Sequence, residues 1–443
     1  MSVATADDIK APATGRNIIG PCLFMGVFLF YWVTTNPYVD LRGSAVLDPS
    51  AGASSSINQI ATIVLTLGLL AYGLAHPMRS IILQPRGLLL VLFSWFFVTA
   101  FLSNYPLQSA KTIVLAILTV MNASIFLLLP SSERQFGKLV AIGTLIMLGF
   151  AYYGVIFKPQ LAIHQASELR EPMNAGFWRG HFTHKNAAAG AMVMAAFFGF
   201  FVIRVWSRLL GILIICLAWF FLIHTGGKTA SAMLPAVIVI SWFFERYRWM
   251  RIPIALGGVA AFNLLAVGSA VIPPFRALVN SFGVDPTFTN RADIWRFAFT
   301  AIEDNPILGY GMKAFWQTRE LVYSNKGAET WAVEAYNAHN SFIDMWVLTG
   351  LPGLIMTLFF VLFMPLKTLM RTDGVPREQS NITRLFVRVW LYTLYNAGLE
   401  SVFFDSGSYQ WFSFALALYA FRLQKVEMVT DTSRPRHEGI AHV

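Results

Sequence analysis

Arg291 and His339 are the residues whose types and settings best suit chemistry in this chain. An arginine keeps its charge at any working pH, and its planar fork grips phosphate oxygens through two N–H bonds at once. A histidine just ahead of a helix start favours the neutral ring, which accepts a proton near neutral pH. Together they divide the work of a group transfer: one takes a proton, the other steadies a departing phosphate. Both lie in 275–340, a long and mostly polar stretch ending on Ala338-His339-Asn340-Ser341, in a sequence otherwise made of hydrophobic runs.

Three apolar runs begin with a basic or imidazole residue beside a helix-starting group: His184-Lys185-Asn186, Gly226-Gly227-Lys228-Thr229 and His339-Asn340-Ser341. Helix N-termini carry about half a positive charge and free N–H donors, so three of them around one pocket would hold an anion such as a diphosphate. Each is equally readable as an ordinary cap, with Asn186 and Ser341 as N-caps and Ser341 with Asp344 at capping-box spacing. Gly227-Lys228-Thr229 is not a nucleotide loop, because the first glycine of that motif would fall at Leu222 in an apolar helix. His181 and His184 have no cysteine or carboxylate pair to complete a metal set, so no metal site and no cofactor is expected. Glu400 and Asp405 stand at the end of an apolar run, where a carboxylate needs a partner. Neutralising Lys228 or Arg291 suits Glu400 better than direct catalysis.

The elements that must position these groups are membrane helices. The chain has 443 residues, 56% hydrophobic and only 13% charged, too little polar surface for a water-soluble protein. Apolar runs of about 17–25 residues match helices and not barrel strands, so the expected class is an all-α integral membrane protein. The runs fall near 17–35, 57–75, 88–103, 109–129, 137–157, 187–203, 208–224, 230–244, 252–272, 341–365, 385–404 and 409–421, about twelve transmembrane helices. Arg79, Arg86, Arg134, Lys138, Arg204, Arg208, Arg246, Arg248, Arg251, Lys367, Arg371, Arg377 and Arg384 all fall on one side if the N-terminus starts there, which makes that side cytoplasmic. The same asymmetry explains the net charge of +10 without nucleic acid. The expected order is a cytoplasmic tail over 1–16, helices one to nine over 17–272, a large periplasmic loop over 273–340 between helices nine and ten, helices ten to twelve over 341–421, and a cytoplasmic tail over 422–443. Within the loop, Thr289 or Asn290 can cap a helix running to about Asn305, answered by Asp293 and stopped by Pro306. Its apolar positions recur at helical spacing, with Arg291 one turn before Trp295 and turned to the membrane side. Phe177-Trp178, Trp295, Trp316 and Trp331 suit segments lying on the headgroup layer.

The residues from Gly180 to Asn186, Asn290-Arg291-Ala292-Asp293-Ile294-Trp295, Asn305-Pro306-Ile307-Leu308-Gly309-Tyr310-Gly311, and His339 separated by ten residues from Gly350 carry a resemblance. Over about Gly180 to Gly353 the sequence resembles the O-antigen ligase and polysaccharide polymerase superfamily of bacterial inner-membrane glycosyltransferases. Trp295 stands where that family's motif usually ends in Leu, and Lys228 at a position often filled by Arg. The resemblance implies a metal-independent enzyme of the GT-C type acting on an undecaprenyl-diphosphate-linked oligosaccharide. Catalytic roles would fall to His339 and Arg291, diphosphate contacts to Lys228, Arg291 and Lys185, and support to His184, Asn186, Asn340 and Glu400. The His-Lys-Asn form of the first motif is most similar to exopolysaccharide polymerases of the succinoglycan type, which would work with membrane lipid and a chain-length regulator. Ligases that transfer glycan to lipid A core share the remaining motifs. A lipid-glycan transporter of twelve spans is the rival class, and it would require two related halves with charges at mid-membrane.

Overall fold

The computed structural model describes residues 18–42, 56–168, 171–281, 283, 291–318, 321, 332, 335–371 and 381–423. The architecture is helical, with one isolated bridge between Ile163 and Trp178 and no strand among the described residues. We number the helices α1 (Ile19–Val33), α2 (Ser56–Ala75), α3 (Arg86–Phe101), α4 (Pro106–Phe126), α5 (Glu133–Phe157), α6 (Lys185–Val205), α7 (Arg208–His224), α8 (Lys228–Arg246), α9 (Arg248–Val271), α10 (Pro273–Ser281), α11 (Arg291–Asp304), α12 (Ser341–Arg371), α13 (Asn381–Asn396) and α14 (Tyr409–Leu423). Seven of them, α2, α4, α5, α6, α8, α9 and α12, are long and apolar enough to cross a membrane. Shorter apolar helices are α1, α3 and α7. Among the described residues the protein is thus helical, in keeping with an all-α integral membrane protein, and most of the expected apolar runs are helices.

α6 is the most deeply buried of the seven. It meets α7 closely because Gly199 and Gly211 face each other: a Cβ on Gly211 would stand 2.6 Å from the Gly199 carbonyl oxygen. Small residues permit such an approach where lipid offers no hydrophobic drive for association. α5 starts on Ser132, whose side chain accepts from Gln135 N–H, and α4 starts with Pro106 in its first turn.

One expected boundary is corrected. The run read as continuing to residue 404 leaves the helix at Asn396, so Glu400 belongs to the connection between α13 and α14. Beyond that point the carbonyls have other partners: Ala397 accepts from Ser341 N–H at 2.7 Å and Gly398 from Asn340 Nδ2 at 3.0 Å.

α12 is broken at Gly350, which has φ 67° and ψ 179°. The segment 306–311 docks into the break by backbone bonds: Tyr310 N–H to Val347 O at 3.0 Å, Gly311 N–H to Leu348 O at 2.8 Å, and Leu351 N–H to Pro306 O at 2.9 Å. A Cβ on Gly350 would lie 1.8 Å from Ile307 O, and one on Gly309 2.6 Å from Gly350 N. Both glycines therefore serve close backbone contact as well as a positive φ. α11 and α12 are tied together through this joint.

α11 begins at Arg291 and ends at Asp304, one residue short of the expected stop. Its apolar face, Ala292, Ile294, Trp295, Ala298, Ala301 and Ile302, is buried against the protein. Asp293 accepts from Arg296 Nη1 at 2.7 Å. The Thr289 or Asn290 cap and Trp331 lie outside the described residues.

Candidate active site

Glu400 is the centre of the site. One carboxylate oxygen accepts from Arg291 Nη2 at 2.7 Å and from Asn186 Nδ2 at 3.2 Å, and the other meets His339 Nδ1 at 3.3 Å. These groups come from the start of α6, the start of α11, the segment before α12 and the connection before α14. Arg291 Nη1 also donates to the Leu399 carbonyl. Burial pushes the Glu400 carboxyl up, but the Arg291 guanidinium and the His339 ring more than offset it and hold it below the usual carboxylate range. An ionised carboxylate only accepts, so His339 Nδ1 carries a proton, and in the neutral ring Nε2 is then the acceptor. The His339 side chain is 32% exposed.

His339 adopts φ 48°, a strained value for a side-chain-bearing residue, and its neighbours hold it there. Its own N–H donates to Asn337 Oδ1 at 2.9 Å. Ala338 is fixed from both sides, its N–H on Asp344 Oδ1 at 2.9 Å and its carbonyl accepting from Trp295 Nε1 at 2.9 Å. Trp316 Nε1 donates to the same Asp344 oxygen at 2.8 Å. Trp295 and Trp316 are thus buried in the protein as supports of the histidine segment, not exposed on its surface.

Several expected roles change. Asn340, and not Ser341, caps α12, accepting from Phe342 and Ile343 N–H, while its Nδ2 donates to Asn263 Oδ1 and the Gly398 carbonyl. Ser341 Oγ instead donates to the Glu400 carbonyl at 2.8 Å and accepts from Val402 N–H. Asp344 serves Ala338, so no capping box forms. Asn340 is buried and fully engaged, which makes it a structural support. Arg291 turns inward to Glu400, not to the lipid side, because the buried face of α11 packs on protein.

At α6, His184 is the N-cap: Nδ1 accepts from Asn186 N–H at 3.1 Å, so Nε2 donates to Glu171 at 2.8 Å. That bond holds the Glu171 carboxyl at about 2. A second imidazole, His164, accepts from Lys185 N–H at 3.1 Å and donates through Nδ1 to Glu168 at 2.6 Å. Burial pulls the His164 ring down in spite of Glu168. Two histidine–carboxylate pairs therefore hold the first turn that presents Lys185 and Asn186. Apart from the four-residue spacing of His164 and Glu168, nothing in the sequence marks His164, Glu168 and Glu171 as supports of this turn. His181 stands apart: it is buried, its Nε2 donates to Trp32 O at 2.9 Å, and burial takes it down to about 4.

The Lys185 ammonium lies 4.2 Å from the centre of the Phe177 ring and within electrostatic range of Lys228 and Glu171. Lys228 is exposed. Its helix start sits beside α6, since a Cβ on Gly227 would meet the Ala189 Cβ at 2.6 Å. The three helix starts read from the sequence do converge on one end of the molecule. Their N–H groups, however, are largely taken up by His164, His184, Thr225, Gly226 and Asn340. Among the described residues, what remains for an anion is the two lysines, the Arg291 N–H groups not taken by Glu400 and Leu399, and the helix dipoles.

Residues 181–358 match a family described as O-antigen ligase. The chain is also 30% identical over 168 residues to the exopolysaccharide production protein ExoQ of Rhizobium meliloti (strain 1021), covering 34% of this chain and 36% of the relative. That match spans about a third of the relative's own length. Lys185, Asn186, Lys228, Arg291, His339 and Gly350 lie within the family match, whereas Glu400 and the His164 and Glu171 supports lie outside it. Over residues 181–358 the chain is thus similar to the O-antigen ligase family, and these matches support a likeness to the O-antigen ligase and polysaccharide polymerase superfamily.

Proposed function

We propose that this chain is a glycosyltransferase of the bacterial inner membrane that polymerises undecaprenyl-diphosphate-linked repeat units for an exopolysaccharide. The observation that carries the reading is Glu400, which joins Arg291, His339 and Asn186 from four separate segments at one end of the bundle. Glu400 fixes the His339 tautomer and leaves Nε2 to take the proton of an acceptor sugar hydroxyl. The hydroxyl oxygen attacks the anomeric carbon, the bond from that carbon to the diphosphate oxygen breaks, and the lipid diphosphate leaves with the electron pair. Arg291, Lys228 and Lys185 stabilise the charge that develops there, and such preorganised cations supply the larger part of the acceleration. Among the described residues neither lysine ammonium is paired in a salt bridge, which supports the assignment; Arg291 contributes through the N–H groups that Glu400 and Leu399 do not take.

The ExoQ relative, by its name an exopolysaccharide production protein, supports the exopolysaccharide context that suits a polymerase; the second reading is transfer to lipid A core, which the O-antigen ligase description of the family match supports. Purified protein given a lipid-diphosphate repeat unit alone should yield a ladder of products. No ladder, with transfer only when lipid A core is added, would establish the ligase instead. The reaction should proceed in the presence of a chelator. Activity lost on chelation and restored by one divalent ion would overturn the assignment of leaving-group stabilisation to Arg291 and the lysines.

A further inference from the structure

At the end of the bundle opposite Glu400, a second charged cluster has no role in the reaction above. α6 and α8 run from the site to Arg204 and Glu245, and α13 runs back toward it from Arg384 and Arg388. A helix of 16 to 21 residues spans about 24–32 Å, so the two clusters lie on opposite faces. Arg204, Arg251, Arg384 and Arg388 all act on the one carboxylate of Glu245. Arg384 Nε stands 3.5 Å from Glu245 Oε2, too far and too poorly aligned for a hydrogen bond. Buried Arg384 Nε, Arg388 Nε and Glu245 Oε1 make no hydrogen bond among the described residues. Arg251 is satisfied by the Phe244 and Leu369 carbonyls, and Arg388 lies 5.7 Å from the Phe200 ring. Arg246, the remaining charged group on the end of α8, is exposed and rests on Tyr247.

Basic residues flanking membrane helices ordinarily stand in water, where they set orientation and need no partner. Here Arg204, Arg384 and Arg388, from two helices, join Arg251 around one carboxylate, and the buried Nε donors of Arg384 and Arg388 are unpaired among the described residues. An unpaired buried donor is costly, and more so when it is charged. The missing counterpart is an anion with several acceptor oxygens, and a phosphate group at an interface between membrane helices meets that description. We propose that Arg204, Arg384 and Arg388 form a binding site for the phosphate of an anionic phospholipid, seated between α6, α8 and α13 at the end away from the reaction.

The test compares the full-length protein in nanodiscs of phosphatidylglycerol and of phosphatidylcholine. Anionic lipid should raise the unfolding midpoint by about 2–5 °C, the scale of a saturating ligand on a chain of this size. Arg388→Gln should remove at least half of that difference. Arg204→Gln, an exposed position that threatens folding less, should act in the same direction. Native mass spectrometry should show fewer retained phosphatidylglycerol molecules on both variants. An unchanged lipid difference and unchanged retention in both would overturn the proposal. So would inorganic phosphate reproducing the whole shift in phosphatidylcholine discs, which would make this a site for a water-borne anion.

Discussion

Each residue at the Glu400 centre carries a separable task. His339→Ala removes the proton acceptor and no phosphate contact, so donor binding should persist while turnover falls by about 10²–10⁴-fold. Binding and single-turnover rates on purified protein separate the two, and parent-like turnover would return His339 to a structural role. Arg291→Lys keeps the charge but loses the fork that bridges Glu400 and Leu399, and transition-state stabilisation should drop by about 1.5–3 kcal/mol, read from kcat/KM. His181 makes a different prediction, one about pH. Its folded-state value near 4 lies below the ordinary histidine value, so its stabilising contribution is complete above about 6.5 and is lost as pH falls from there toward 4. The full difference is about 3 kcal/mol. Unfolding midpoints in detergent should therefore fall between pH 7 and pH 5, and His181→Gln should flatten that fall.

The elements matter because no single helix contains the site. The joint at Gly350 couples α11, which holds Arg291, to α12, whose start holds His339. Gly350→Ala would push the 306–311 segment out of the break, so stability should fall by about 3 kcal/mol or more and turnover should fall with it. Loss of turnover at parent stability would mean that the joint acts on something other than packing. At the start of α6, His164→Ala removes the acceptor for Lys185 N–H and should cost about 0.5–2 kcal/mol, the range of a lost cap. The unfolding midpoint measures it, and a null effect would show that His184 alone suffices there.

For the whole molecule, the charge asymmetry predicts that the Glu400 end faces the periplasm and the arginine end the cytoplasm. Reporters inserted after Gly176 and after Arg371 should report opposite compartments, and one compartment for both would refute the span count of about twelve. The helical class and the extent of nearly every helix were legible from runs of apolar residues, because a segment in lipid must satisfy its backbone internally and so reads locally. Arg291, His339, Lys185, Asn186 and Lys228 were legible for a related reason: charge at the edge of an apolar run stands out whatever the fold. Tertiary structure decided how they combine. Which residue Glu400 would hold, which way Arg291 would turn, that Asn340 rather than Ser341 would cap α12, and that His164 and Glu171 would secure α6 all depend on contacts between segments 13 to 214 residues apart. Those contacts leave no periodicity in the chain, since hydrogen bonds between distant segments are set by packing and not by spacing.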